Sequence, residues 1–218
     1  MKKFGLVILL AILPIFASQQ VFAEGGLMDN VGISLYGGLG IPTNGDQSST
    51  LKTTDLLNLG PQFGLGVSYY FTEQIGIEAI CNYGFNYIKD DYKGQFKDPV
   101  QTNMAISLNG VYYFNEMMME DLIRPYARAG IGLYNWAYRD DGVGGDVIKM
   151  VTEELKGTSF GFNVGAGVDC KLLNNLSVGL LLDYNMYFPK DENKFGSSFA
   201  EQGYLSPQIK ISYYIPTK

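Results

Sequence analysis

The stretch Ile75–Tyr87 reads IGIEAICNYGFNY, and its alternation of residue types decides the fold of this chain. Its odd-numbered positions are all apolar or aromatic, whereas its even-numbered positions are glycine or polar, with Ile80 as the one apolar exception. Residues 160–172 read FGFNVGAGVDCKL and repeat the pattern with the two parities exchanged. Because successive side chains of a β-strand point to opposite faces, each stretch predicts a strand with one apolar and one polar face.

Six further segments show the same alternation with varying clarity. They are residues 31–41, 62–71, 102–114, 124–138, 176–188 and 204–215. Strands of about ten residues suit a tilted crossing of a bilayer, and they exceed the ~5–6 residues typical of soluble sheets. The pattern therefore predicts an all-β fold, a transmembrane eight-stranded antiparallel up-and-down β-barrel. A soluble, lipocalin-like barrel with its apolar face inside is the alternative.

Charged residues inside the predicted strands indicate which face meets lipid. All six fall on the polar face: Glu78, Arg128, Asp169, Lys171, Asp183 and Lys210. A Lys or Arg facing lipid near the bilayer midplane costs ~2–4 kcal/mol, so the polar face is predicted to line the lumen. Eight strands leave an interior that side chains just fill, so we expect these charges to form a paired plug. A gate or an ion path is the functional alternative.

Tyrosines are predicted on both faces of the barrel. Six share the inward parity and are expected to line or plug the lumen: Tyr36, Tyr70, Tyr113, Tyr126, Tyr187 and Tyr214. Tyr69, Tyr112 and Tyr213 have the outward parity and stand near strand ends, as do Phe71 and Phe114. Aromatic rings at such positions belong at the water–lipid boundary.

The predicted connections alternate between short and long. Short connections fall at residues 72–74, 115–123 and 173–175, and long polar ones at 42–61, 89–101, 139–158 and 189–203. In bacterial barrels the short turns face the periplasm and the long loops face outside. Within the third long loop, residues 147–156 predict a short helix that Asp146 caps and Gly157 ends. Asp140, Asp141 and Asp146 lack EF-hand spacing, so we expect an exposed acidic loop without metal.

The first 23 residues read as an export signal. Lys2 and Lys3 precede an apolar run over residues 4–17, which is short for a spanning helix of ~20 residues. We expect cleavage between Ala23 and Glu24, which leaves residues 24–218 as the barrel domain; an uncleaved anchor is the alternative. The remaining chain has 14 basic and 22 acidic residues, a net charge of −8, which argues against nucleic acid as a partner.

Cysteine and histidine usage limits the chemistry of the chain. Cys81 and Cys170 are predicted on the lipid face of the third and sixth strands, beyond the ~7 Å Cα separation that a disulfide allows, so we expect two free thiols. The chain has no histidine, which removes Ser–His and Cys–His catalysis. No cofactor and no enzymatic activity are expected.

Two stretches carry a family resemblance. Residues 124–132 (RPYARAGIG) and 160–169 (FGFNVGAGVD), the latter continuing through a turn at Asn174 and Asn175, resemble the small outer-membrane barrels related to the transmembrane domain of outer membrane protein A, often called porin-family proteins. The resemblance implies an outer-membrane location, contact with outer-membrane lipid and insertion by the barrel-assembly machinery. Many relatives end on an aromatic residue, whereas the last residues here are Ile215-Pro216-Thr217-Lys218. We expect no peptidoglycan-binding domain and therefore do not carry over cell-wall tethering from the resemblance.

Three functions are compatible with these observations. The leading one is a structural and surface-interaction protein, expected to be a monomer, with a plugged lumen and exposed loops that bind a surface ligand. The second is a narrow porin-like channel for ions or small, including hydrophobic, solutes. The third, which the missing histidine disfavours, is an outer-membrane lipid-modifying enzyme.

Overall fold

The computed structural model describes residues 27–47, 51–114, 122–150, 153–189 and 201–217. The expected signal peptide and its cleavage site at Ala23 and Glu24 lie outside these residues. So do most of the predicted turn at 115–123 and most of the fourth long loop.

The described part of the chain forms ten strands, eight of which close into one barrel. The strands are β1 (Asn30–Asn44), β2 (Gly60–Tyr70), β3 (Ile75–Tyr87), β4 (Val100–Tyr113), β5 (Ile123–Arg139), β6 (Lys149–Met150), β7 (Glu153–Glu154), β8 (Lys156–Leu173), β9 (Leu176–Phe188) and β10 (Gln202–Pro216). Every barrel strand pairs antiparallel with its chain neighbours, and β1 pairs with β10 to close the ring. The predicted eight-stranded up-and-down barrel is confirmed.

Among the described residues, helical structure is confined to two short segments in the long loops. Helix α1 spans Thr53–Leu56, and a 3₁₀ turn spans Asp90–Tyr92. No helix in the described part of the chain is long and apolar enough to cross a membrane.

The predicted helix over residues 147–156 is wrong. Strands β6 and β7 pair with each other there, and β8 already begins at Lys156. The hairpin continues the β5–β8 ladder: the Ile148 amide donates to the Tyr138 carbonyl at 2.9 Å, and the Tyr138 amide to the Leu155 carbonyl at 2.9 Å. An isolated helix of ten residues is marginal in water, so cross-strand hydrogen bonding outweighs the local helical spacing.

The outer surface of the barrel is apolar on every strand. One exposed aliphatic residue from each of the eight strands illustrates it: Leu35, Leu65, Ile77, Ile106, Ile131, Val164, Leu182 and Ile209. Inside the ring, by contrast, the buried side chains include carboxylates, cations, amides and hydroxyls. A continuous apolar exterior around a polar interior is the arrangement of a membrane barrel and the reverse of a lipocalin.

Aromatic pairs mark both ends of the apolar surface. The rings of Tyr69 and Phe71 lie 5.2 Å apart beside the β2–β3 turn, and those of Tyr112 and Phe114 lie 5.2 Å apart at the end of β4. At the loop end, the rings of Phe162 and Phe188 are 5.9 Å apart. These pairs correspond to the two aromatic girdles of membrane barrels.

The two cysteines lie where the sequence predicts them. Cys81 is exposed on the outer face of β3, Cys170 is half-buried on β8, and both are free thiols. Strands β4 and β5 stand between them in the ring, so the two thiols cannot pair within one barrel.

A charge placed on the apolar surface tests its contact with lipid. We expect Ile131→Arg to lower the free energy of unfolding by about 2–4 kcal/mol, since Ile131 lies well inside the apolar surface of β5. Asn135→Arg is the matched control four residues nearer the loops, at a position that is already polar, and should cost about 0–1 kcal/mol. Urea titration in lipid vesicles, followed by the fluorescence of the single tryptophan, measures both. Equal costs at the two positions would contradict the assignment.

Candidate functional site

A buried guanidinium is held between two carboxylates in the lumen. Arg128 on β5 donates from Nη1 to Glu78 Oε2 at 3.1 Å, and from Nη2 to Asp183 Oδ2 at 3.1 Å. A third bond joins Arg128 Nε to Asp183 Oδ1 at 3.2 Å, so the contact with Asp183 is bidentate. Tyr36 donates to Glu78 Oε1, and the guanidinium carbon lies 5.5 Å from the Tyr36 ring centre. We name Glu78, Arg128 and Asp183 the arginine cluster.

A second ion pair lies between the arginine cluster and the periplasmic mouth. Lys210 Nζ on β10 is 3.1 Å from Asp169 Oδ2 on β8, and Tyr113 donates to the same oxygen at 2.6 Å. The lysine ammonium also stands 4.8 Å from the ring centre of Tyr126. Lys210 and Asp169 are both nearly inaccessible to solvent, so each charge is compensated by neighbours within the protein.

The sixth predicted lumen charge, Lys171, lies nearer the periplasmic mouth. It is half-buried and lines a small cavity of about 10 Å³ with Arg124 and Asp169. Arg124 is a buried cation that the sequence analysis missed, because it stands at the first residue of a predicted strand and only charges well inside strands were considered. The parity of Arg124 is inward, which was the signal that could have identified it.

Tyrosines close the periplasmic half of the lumen. The ring of Tyr70 lies 5.8 Å from that of Tyr113 and 6.0 Å from that of Tyr214, and the rings of Tyr113 and Tyr126 are 5.2 Å apart. Leu27, just before β1, is buried in the same cluster. We call these five residues the inner plug.

Backbone contacts hold Leu27 under the barrel. Glu73, in the β2–β3 turn, accepts the amides of Leu27 and Met28 at 2.7 and 3.0 Å. The Asp29 amide donates to the Tyr70 carbonyl at 2.9 Å, and the Thr217 amide donates to the Asp29 carbonyl at 3.1 Å. Contacts with the end of β2, with the β2–β3 turn and with the residue that follows β10 therefore hold residues 27–29 across the periplasmic mouth of the barrel.

A second plug, which the sequence analysis did not predict as a unit, closes the loop end of the lumen. The ring of Tyr187 stacks between those of Tyr134 and Tyr204, with centres 5.2 and 6.2 Å away. Gln101 donates to Tyr138 at 3.2 Å and accepts from Tyr204. We call Gln101, Tyr134, Tyr138, Tyr187 and Tyr204 the outer plug. Only Tyr187 was among the predicted lumen residues, although Tyr134 and Tyr138 have the same inward parity on β5.

Loop residues complete the outer plug. The Tyr138 hydroxyl donates to Gln47 Oε1 at 2.8 Å, and Gln47 Nε2 donates to Gln202 at 3.0 Å. Thr53, the first residue of α1, donates to the same Gln202 oxygen at 2.6 Å. No strand periodicity relates Gln47 or Thr53 to the lumen, so strand parity alone could not find them.

The first three long loops are joined to one another. Leu57 forms a β-bridge with Ile88, and Lys89 donates from Nζ to the Thr54 carbonyl at 2.8 Å. Lys97 is 2.9 Å from Asp141, and this hydrogen bond raises the pKa of the Lys97 ammonium above its usual value.

A local pair in the second loop behaves in the same way. Lys93 lies 2.7 Å from Asp90. The hydrogen bond raises the pKa of the lysine and lowers the pKa of the carboxyl. Both groups are therefore charged at neutral pH, and salt screens such exposed pairs.

The acidic third loop carries no metal-ligand set in the described part of the chain. Asp140 Oδ1 accepts the amides of Lys97 and Asp141, at 2.9 and 2.8 Å, rather than facing an open site. No group of three or more His, Cys, Asp or Glu side chains among the described residues could hold a metal ion.

A polar chamber lies between the charged region and the outer plug. Its volume is about 30 Å³, room for about two water molecules. Its walls are unusually rich in amides and glycines: Gly40, Gln62, Asn82, Gly84, Asn86, Asn103 and Asn185 contribute, together with Tyr134 and Tyr204 from the outer plug.

These features define a transmembrane β-barrel whose lumen is filled by side chains. The family model described as outer membrane protein β-barrel domain matches residues 7–201, so the chain belongs to this family and is a protein of the outer membrane. A comparison with curated protein sequences gives no match.

Solved structures support the same fold. Neisserial surface protein A is similar with a TM-score of 0.52 at 12% identity, over 84% of this chain and 96% of that one. Ail, the attachment invasion locus protein of Yersinia pestis, in complex with the heparin analogue sucrose octasulfate, is similar with a TM-score of 0.52 at 12% identity, over 86% of this chain and 99% of that one. At this identity the likeness concerns the fold alone.

Removing Arg128 tests whether its positive charge compensates the two buried carboxylates of the arginine cluster. Arg128→Met leaves two buried carboxylates without their cation and should lower the free energy of unfolding by about 3–5 kcal/mol. The triple variant Glu78→Gln/Arg128→Met/Asp183→Asn leaves no charge there and should lose less, because no ion is stranded. Urea titration in vesicles compares them. A triple variant that loses more than Arg128→Met would refute a balanced ion cluster.

Proposed function

We propose that this outer-membrane protein is a non-enzymatic structural and surface-interaction protein, in which a sealed barrel supports the outer loops. The observation that carries the proposal is the closure of the lumen at two levels. The inner plug fills the periplasmic half with tyrosine rings and Leu27, and the outer plug fills the loop end with stacked rings and glutamines. An open aqueous pore would need a wider ring, since water-filled channels are found in barrels of ~16–18 strands.

The ion pairs support a structural role for the lumen charges. Arg128 uses three nitrogens on two carboxylates, and Lys210 and Tyr113 meet on one oxygen of Asp169. Charges engaged in this way are costly to separate, which favours a fixed plug over a conducting path.

The joined loops supply the interaction surface. Contacts between α1, the second loop and the third loop make them one platform above the membrane. The first three long connections contain 10 acidic and 7 basic residues. Ail was crystallised with a sulfated heparin analogue, but an acidic platform repels such polyanions. We infer a neutral or cationic surface partner for this chain.

Maturation and assembly complete the proposal. Cleavage after Ala23, insertion by the barrel-assembly machinery and a monomeric state are all compatible with a closed ring that has no unpaired edge strand.

Single-channel recording of the refolded protein, residues 24–218, in a planar bilayer tests the sealed lumen. We expect no steady openings, because buried tyrosine rings occupy the lumen at both plugs and paired charges lie within it. Insertion is verified independently by protection of the barrel from protease. Steady openings that change when Arg128 or Lys210 is neutralised would overturn the proposal and favour the narrow channel.

A further inference from the structure

We propose that the polar chamber binds one monovalent inorganic cation of the potassium type. The inference goes beyond the proposed function, since a sealed platform does not require a bound ion. It rests on the oxygens that converge in the chamber, on two buried amide oxygens without partners and on the charge of the adjoining arginine cluster.

Three oxygens lie near the Cα of Gly40 on its lumen side. A methyl group added at the Cα of Gly40 would lie 3.7 Å from Asn86 Oδ1, 3.8 Å from Gln62 Oε1 and 3.9 Å from the Gly60 carbonyl. Three oxygen atoms therefore lie within 4 Å of one point in the lumen, and Gly40, Gln62 and Asn86 all line the chamber. Glycine at position 40 keeps the point empty.

Hydrogen bonds fix the orientation of one of these oxygens. Asn86 is buried, and its Nδ2 donates to the carbonyls of Gly40 and Asn58, each at 2.8 Å. Both amide hydrogens are used in this way, so the amide cannot be flipped without losing both bonds. The Oδ1 atom is therefore the amide atom that lies 3.7 Å from a methyl group added at Gly40.

Two more amide oxygens in the chamber wall lack a partner. Asn82 is 4% exposed, and neither its Oδ1 nor that of Asn103 accepts a hydrogen bond within the described part of the chain. Buried polar groups are rarely left unpaired, so a ligand with positive charge or hydrogens to donate is expected beside them. The chamber volume of about 30 Å³ accommodates one ion with a residual water.

The charge below the chamber favours a cation over water alone. Glu78, Arg128 and Asp183 together carry a net charge of −1, and Asn185, which lines the chamber, donates to Asp183 Oδ2 at 3.2 Å. The oxygens around the space are amides and a backbone carbonyl, with no carboxylate among them. Divalent ions prefer carboxylates, whereas carbonyl-type oxygens replace the hydration shell of monovalent ions.

Filling the space without disturbing the wall provides the test. Gly40→Ala places a methyl group at the open point in ordinary van der Waals contact, so the barrel should still fold. Gly37→Ala is the matched control on the same strand, where an added methyl group meets nothing within 4 Å. Both variants and the parent are titrated with urea in vesicles, in potassium chloride and in choline chloride at equal ionic strength.

The expected result is selective stabilisation by potassium. At a potassium concentration of about ten times the dissociation constant, the folding equilibrium constant of the parent and of Gly37→Ala should rise about tenfold over choline, while Gly40→Ala should not respond. Crystals soaked in thallium(I), a potassium substitute, should show an anomalous peak between Asn86 and Gln62. Equal stability of the parent in both salts, a potassium effect that persists in Gly40→Ala, or a chamber holding water only would overturn the proposal.

Discussion

Lipid hydrocarbon offers no hydrogen bonds, and this single constraint explains most of the molecule. Every backbone amide and carbonyl that enters the bilayer must be paired within the protein, which a sheet achieves only by closing on itself. The pairing of β1 with β10 provides that closure. Closure in turn assigns the two faces of every strand, with aliphatic and aromatic groups outside and all polar groups confined to a narrow lumen.

Buried polar groups in the lumen are paired in three different ways along its length. Near the periplasm, Asp169 and Lys210 are surrounded by tyrosines, whose hydroxyls accept and donate while their rings fill space. In the middle, one guanidinium serves two carboxylates. Near the loops, ionised groups give way to amides and stacked rings, which link the barrel wall to the loops. The ionised groups of the lumen therefore lie in its middle and periplasmic parts, and neutral groups meet the loops.

The barrel can be predicted from the sequence, whereas the outer plug can be predicted only in part. Parity places Glu78, Arg128, Asp183 and the inward tyrosines, because a strand has a strict two-residue period and lipid penalises every exception. Parity says nothing about Gln47 or Thr53, which reach the lumen from a loop. The helical spacing of apolar residues gave the wrong prediction over residues 147–156, because the strand ladder there depends on β5, a partner that is close only in three dimensions.

The arginine cluster also bears on how the ring forms. Glu78, Arg128 and Asp183 stand on β3, β5 and β9, strands that are not neighbours in the sheet, so their contacts exist only when the sheet has curled. A flat or half-closed sheet in hydrocarbon would expose one cation and two anions separately, in addition to two unpaired edges. Partly closed species are thus penalised twice, which should make insertion and closure a single cooperative transition with few populated intermediates.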